Sequence, residues 1–313
     1  MTTLTPSRAF SGAAIGKISL TRRAFARSGS PPELSPSPRS TSPFLKWAGG
    51  KTKLMSQLTP MLPRALNRMR HVEPFVGGGG FYFSRLPQRA LIQDVNASLI
   101  DTYLAVRDEV ENVIDVLDGL TLAHAAGGAY YGVRERYNTR DPHTPRAERA
   151  AMFIYLNKTC FNGLHRVNRK GEFNVPEGRY HSPRIVDHVG IRLASSALRA
   201  ADIRCAGFES LLESARPGDF VYLDPPYVPL NDTASFTSYS DDGFSMKDQE
   251  RLRDVVVELD RRGCSIMLSN HDVPSVRALY AGFQIDVVQA PRAISADGGS
   301  RSAVAEVVVR NYR

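Results

Sequence analysis

From Phe44 onward the chain alternates short apolar runs with stretches of helical period. The run HVEPFV (71–76) ends in four glycines, Gly77 to Gly80, and ALIQDV (90–95) follows it. Runs of this length bounded by turn residues read as strands. Asn96 then stands where a helix N-cap is wanted, and Leu99, Ile100, Tyr103, Leu104 and Val106 share the face of an amphipathic helix. Further strand-like runs are DIRCAG (202–207), DFVYLDPPY (219–227), CSIMLSN (264–270), GFQIDVVQ (282–289) and AVAEVVVRNY (303–312). A helical pattern, KDQERLRDVVVELDRRG (247–263), precedes CSIMLSN. Seven such runs with helices between them predict a doubly wound, mostly parallel seven-stranded sheet. Residues 120–185 break this rhythm with two helical patterns and then NKTCFNGLHRVNRKGEFNVPEGRYHSPR, rich in Asn, Gly and basic residues. They predict an inserted helical domain with a hairpin-containing lobe, leaving 44–119 and 186–313 to the sheet.

Charge changes the picture less than its total suggests. Of a net +8, residues 1–43 supply six basic residues against Glu33 alone, a net of +5, so the remainder carries only +3. That Ser-, Pro- and Arg-rich stretch lacks the apolar density to offset ordering entropy and is expected to be a disordered basic tail. A transit peptide or a DNA-binding arm are the alternatives for it. No stretch approaches the ~20 apolar residues of a membrane span. Cys160, Cys205 and Cys264 lie far apart, and the seven His show no metal-ligand spacing. A soluble cytoplasmic protein with metal-free chemistry is therefore the expectation.

Two motifs carry candidate chemistry. A strand followed by a glycine turn and a helix lets backbone approach a nucleotide, and Asp94, seventeen residues after Gly77, stands where a carboxylate accepts ribose hydroxyls. The glycines lack G-x-G-x-x-G spacing, which weighs against a pyrophosphate. A flexible turn, a dinucleotide site and an S-adenosylmethionine site all remain open at this point. The second motif is Asp224-Pro225-Pro226-Tyr227, at the carboxyl end of a buried strand. Two prolines fix φ and remove two N–H donors. The Asp224 carboxylate and Pro225 carbonyl form an acceptor pair suited to the two hydrogens of an aromatic amine such as adenine N6, whose lone pair is otherwise delocalised into the ring. Tyr227 is placed to stack on a flipped base. A rigid turn capped by Asp224 is the plain alternative.

Taken together, the motifs resemble the DNA adenine-N6 methyltransferases of the Dam type (D12 class, α group) over nearly all of residues 44–313. The resemblance rests on FLKWAGGK (44–51), EPFVGGG (73–79), DVN (94–96), NGL (162–164), GEFNVP (171–176) and DPPY (224–227), in that order. It implies a class I S-adenosylmethionine-dependent methyltransferase fold acting on double-stranded DNA by base flipping. It also implies S-adenosylmethionine bound by Trp47, Lys51, Phe75, Gly77, Gly79, Asp94 and Asp224, with Lys51 near its carboxylate end. Residues 120–185 would be the target-recognition domain.

Arg166, Arg169, Lys170 and Arg179 interleave with Asn162, Asn168, Asn174 and Tyr180, and Arg suits guanine as Asn suits adenine. By resemblance Asn162, Leu164, Arg166, Pro176, Arg179 and Tyr180 contact DNA, with GATC the expected site. His165, Lys158 to Phe161 and Glu177 depart from the housekeeping pattern, and the stretch at 158–161 looks more like restriction companions. The loop PLNDTASFTSYSDDGFS (229–245), with Asn231, Phe236 and Tyr239, is expected to act as a lid or to touch DNA. RAISADGGSR (292–301) is expected either near DNA or as a hairpin turn. A monomer, with a cognate restriction endonuclease as the candidate partner, completes the reading. Competing readings are methylation of RNA adenine or another planar amine, a catalytically silent DNA-binding relative, and an oxidoreductase. Asp224 disfavours cytosine-N4 and glutamine enzymes, which usually carry Ser and Asn there.

Overall fold

The structure, a computed structural model, describes residues 41–229, 244–290 and 304–313. Nearly all of the expected tail, most of the 229–245 loop and the segment 292–301 lie outside these residues, and with them the expectations placed there. The described residues fall within one compact unit.

The described elements include seven strands: β1 (His71–Glu73), β2 (Ala90–Asp94), β3 (Ala201–Cys205), β4 (Phe220–Leu223), β5 (Ser265–His271), β6 (Gln284–Ala290) and β7 (Val304–Arg310). They form one sheet in the order β3-β2-β1-β4-β5-β7-β6. β1 to β5 pair in parallel, with Val72 opposite both Leu91 and Val221. β7 inserts antiparallel between β5 and β6, placing Glu306 opposite His271.

The centre of the sheet is buried on both faces, which is why a strand such as β4 reads as a continuous apolar run. Side chains alternate with the pleat. Leu91, Val221, Leu223, Ile266 and Leu268 point to one core, while Ile92 faces a second and Phe220, Tyr222 and Met267 a third. The first of these cores is covered by α8 (Leu211–Ser214), α9 (Met246–Arg261) and α10 (Pro274–Leu279). The opposite side carries α1 (Met55–Leu58), α2 (Gly80–Arg85), α3 (Ala97–Asp108), α4 (Val110–Ala125), α5 (Ala129–Thr139), α6 (Arg146–Thr159) and α7 (His188–Leu198). α6 is buried along most of its length and packs on α3, α4 and α5.

Local signals account for the helix starts. Asn96 caps α3, its Oδ1 accepting from Leu99 N at 3.1 Å. Ser245 and Asp248 close a capping box on α9. Residues 160–177 form a loose hairpin-like lobe, with isolated bridges between Cys160 and Glu177 and between Val167 and Phe173. Among the described residues no helix is long and apolar enough to cross a membrane.

Candidate active site

Strand order reverses between β1 and β4, so their carboxyl ends diverge and open a crevice, the usual ligand position in open α/β sheets. A cleft of about 1110 Å³ lies there, and both the glycine turn after β1 and the Asp-Pro-Pro-Tyr turn after β4 line it. The two motifs are brought together, as the sequence requires. Single-ligand pockets run to roughly 1000 Å³, so this cleft has room for a donor and an inserted base.

On the β1 side, Gly77 adopts φ +48°, and a Cβ there would sit 2.7 Å from the Trp47 ring. A Cβ at Gly78 would sit 2.8 Å from the Trp47 Cβ, so the absence of side chains lets Trp47 lie directly on the turn. Asp94 fixes the turn from below: its Oδ2 accepts from Gly77 N at 3.1 Å and its Oδ1 from Asn96 N at 3.0 Å. Each oxygen keeps a lone pair for a ligand in the cleft, enough for two vicinal hydroxyls. Burial raises the Asp94 carboxyl above its ordinary value, while these backbone donors hold it down. Phe75 borders the cleft, stacked on Phe208 and edge-on to Phe244. Gly79 sits apart from the other expected cofactor residues. At φ +73° it precedes α2, and its missing Cβ makes way for Phe83 and the Tyr103 hydroxyl instead of for the cleft.

On the β4 side, Asp224 Oδ1 lies 2.8 Å from Lys51 Nζ, with side chains only 19% and 5% exposed. Lys51 also donates to Gly49 O at 2.7 Å. The lysine expected at the donor's carboxylate end is thus held on the Asp-Pro-Pro-Tyr turn. Burial raises the Asp224 carboxyl, with Lys51 opposing that shift. The Lys51 ammonium lies 4.8 Å over the Tyr227 ring, whose hydroxyl donates to Glu306 Oε2 at 2.9 Å. Burial pushes the Tyr227 phenol far up, so it stays a donor, and burial also raises Glu306. Glu73, a further cleft residue, lies 2.9 Å from His71 Nε2, and burial raises its carboxyl too.

The expected DNA-contacting residues occupy a separate stretch after α6. Asn162 adopts a left-handed conformation at φ +53°, Leu164 packs against the core, and Arg166, Pro176, Arg179 and Tyr180 are exposed. Arg166 Nε donates to Asn174 Oδ1 at 2.7 Å and its Nη2 to Asn174 O at 3.2 Å, which sets the direction of the guanidinium. Lys46 places its ammonium 4.1 Å over the Tyr180 ring.

Two residues to which the sequence assigned no role in the cleft join this stretch to it. Asn157 on α6 accepts from Lys46 N at 2.8 Å and donates to Lys46 O at 2.7 Å and Gly163 O at 3.2 Å. The His165 imidazole stacks on Trp47 at 5.5 Å, and burial lowers its pKa, favouring the neutral ring.

A buried carboxylate beside a glycine turn faces an Asp-Pro-Pro-Tyr turn across one cleft, the arrangement expected from the sequence of an S-adenosylmethionine-dependent methyltransferase acting on a nitrogen. The particular family follows from comparison with known proteins. The family described as D12 class N6 adenine-specific DNA methyltransferase matches residues 47–294, and the chain belongs to it. It is an enzyme that methylates adenine in DNA, and S-adenosylmethionine is the methyl donor the family implies. The chain is 42% identical to the Type II methyltransferase M.MjaIII of Methanocaldococcus jannaschii, covering 86% of this chain and 99% of that one. It is 41% identical to the Type II methyltransferase M1.LlaDCHI of Lactococcus lactis subsp. cremoris, covering 86% and 95%. It is 35% identical to the DNA adenine methylase of Escherichia coli (strain K12), covering 85% and 93%.

Proposed function

We propose that the chain methylates N6 of an adenine flipped out of a double-stranded site, with GATC the first candidate sequence, and that Asp224, Pro225, Pro226 and Tyr227 form the catalytic turn. The observation that carries this reading is the shared cleft of Asp94 and Asp224. S-adenosylmethionine, when bound, supplies an electrophilic methyl group. The residues present fit it: Asp94 would accept its ribose hydroxyls, the Gly77–Gly78 turn and Trp47 would flank its flat parts, and Phe75 would border the slot. Lys51 has a second role here, because its contact favours the ionised form of Asp224.

The Asp224 carboxylate and the Pro225 carbonyl would each take one N6 hydrogen. Among the described residues no donor bonds the Pro225 carbonyl, which supports that use. Two acceptors on one nitrogen favour its tetrahedral form, turn the lone pair towards the donor, and bind more strongly as positive charge develops there. Tyr227, tethered at its hydroxyl to Glu306, offers its ring to the extruded base.

Residues 120–185 would act as the recognition domain, with Arg166, Arg179 and Asn162 towards base edges, Leu164 and Pro176 shaping the lobe, and Tyr180 beside the backbone. Two of the relatives are named Type II methyltransferases, which supports a companion endonuclease acting on the same site.

The test is Asp224→Ala with labelled donor and DNA. Methyl transfer should fall by ~10²- to 10³-fold, as for loss of a principal transition-state contact, while thermal stability and S-adenosylhomocysteine binding persist. Wild-type turnover in the variant overturns the mechanism. Sequencing the modified positions tests GATC, and methylation confined to another sequence overturns it.

A further inference from the structure

The apolar face of α9 carries Leu252, Val255, Val256 and Leu259, yet Gln249 shares it and is only 1% exposed. Beside it, Asn270 at the end of β5 is wholly buried. Burying two amides costs free energy unless both are hydrogen-bonded, and apolar side chains would fill the same space without that requirement.

Their bonds run in one direction. Asn270 Oδ1 accepts from Val228 N at 3.1 Å and from His271 N at 2.9 Å. Two N–H donors on one oxygen leave a single orientation for this amide, so Nδ2 faces Gln249 and donates to its Oε1 at 3.1 Å. Gln249 Nε2 is thereby turned outward and donates to the Pro226 carbonyl at 2.9 Å. His271 Nδ1 lies 2.7 Å from the Val228 carbonyl, and the Tyr227 hydroxyl is held by Glu306. The Pro226 carbonyl, the Tyr227 hydroxyl, the Val228 amide and the Val228 carbonyl thus each have a protein partner.

We propose that Gln249 and Asn270 are positioning residues for methyl transfer: they hold the Pro226 carbonyl and so aim the neighbouring Pro225 carbonyl at the target amine. The proposal rests on the reading of Asp224 and Pro225 given above. The coupling is short. The ring of Pro226 locks its φ, so once the peptide after Pro226 is held in space, few soft torsions remain to swing the peptide before it. Strand β4 anchors the other end through Leu223. Prolines alone stiffen the turn, but they leave its tilt against the cleft undefined, and the two amides define that tilt. Neither amide touches the reacting atoms. Their effect belongs in the rate of the chemical step and not in ligand affinity, because a misplaced acceptor is felt most when charge develops on nitrogen.

The test uses Gln249→Met, nearly isosteric and at home on the apolar face, and Gln249→Glu, which keeps the acceptor for Asn270 but loses the donor to Pro226. Single-turnover methyl transfer at saturating donor and DNA should fall by ~10- to 100-fold in both. Affinities for S-adenosylhomocysteine and for the duplex should stay within about twofold, with at most a small change in melting temperature. A second readout does not depend on turnover. In the wild-type complex with S-adenosylhomocysteine and a duplex carrying ¹⁵N at the target N6, both amino protons should resonate downfield. In Gln249→Met one of them should move upfield while the other stays. Unchanged rates and unchanged amino resonances in both variants overturn the proposal. If Asp224→Ala retains activity, the reading of the turn itself has failed. If Asp224→Ala is inactive while both Gln249 variants behave as wild type, only the brace has failed.

Discussion

Lys51→Met is the most informative single substitution in this site. In the structure the ammonium sits 2.8 Å from Asp224 Oδ1, and both side chains are largely buried. Two unit charges that close interact by about 6 kcal/mol at an effective dielectric constant of ~20. Desolvation absorbs much of this, and one adjacent opposite charge typically moves a carboxyl pKa by ~1–3 units. Burial already raises Asp224 against the pull of Lys51. Removing the lysine takes away what favours the ionised form, so the pKa climbs further. The ionised carboxyl is the stronger acceptor for an amine that gains positive charge, so the wild-type acid limb should lie above the ordinary Asp value of ~3.9. In the variant that limb should move up by ~1–3 units, with activity recovered at high pH. Stability should move in the same sense. A carboxyl whose folded pKa exceeds its unfolded value makes the fold less stable as pH rises from the unfolded pKa through the folded one. The deficit of Lys51→Met in melting temperature should therefore grow with pH across that window. The assay is single-turnover methylation against pH at saturating donor, with S-adenosylhomocysteine titrations alongside. An unmoved acid limb with a pH-independent loss of cofactor affinity would refute the ion-pair argument and return Lys51 to the donor's carboxylate end.

Gly77→Ala places a Cβ 2.7 Å from the Trp47 ring at a φ of +48°. Left-handed backbone alone costs ~1–2 kcal/mol, so calorimetry should show at least tenfold weaker S-adenosylhomocysteine binding, and unaltered affinity would contradict the role given to the turn. Asn157→Ala leaves the Lys46 amide, the Lys46 carbonyl and the Gly163 carbonyl without their side-chain partner. Unfolding in urea should show a loss of ~1–3 kcal/mol, and a loss under half that would mean that water replaces the amide. Arg166→Ala should relax sequence choice by ~1–3 kcal/mol at one base pair, read as turnover across single-base variants of the site. Unchanged discrimination would assign Arg166 to the phosphate backbone.

The sheet was legible because both its faces are covered, so strands such as Phe220–Leu223 are apolar throughout and stand out as runs. The two motifs at its edge were legible because glycine and proline act through the backbone, where local sequence suffices. The antiparallel entry of β7 between β5 and β6 left no mark, since its apolar pattern would suit a parallel neighbour equally well. Lys51 against Asp224 joins residues far apart in sequence, and nothing local distinguishes a lysine bound for an aspartate from one bound for a ligand. Gln249 did leave a signal: it breaks the apolar face of a strongly amphipathic helix. Helix α7 carries Ile191, Ala194 and Leu198 at helical spacing, a short pattern that stands out little beside the basic lobe before it. Asn157 resembles any amide near a helix end until the Lys46 backbone is seen against it.

The stack of His165 on Trp47 bears on any attempt to redirect this enzyme to a new target sequence. Trp47 is pressed between the glycine turn and an imidazole borrowed from the segment proposed to face DNA. A foreign specificity loop spliced in at residue 160 would bring its own side chain to position 165 and remove the backing of the indole. The same loop joined after His165 would leave that wall intact. Chimeras divided at these two points should therefore differ in how well they retain the methyl donor, before any difference in the sequence they read.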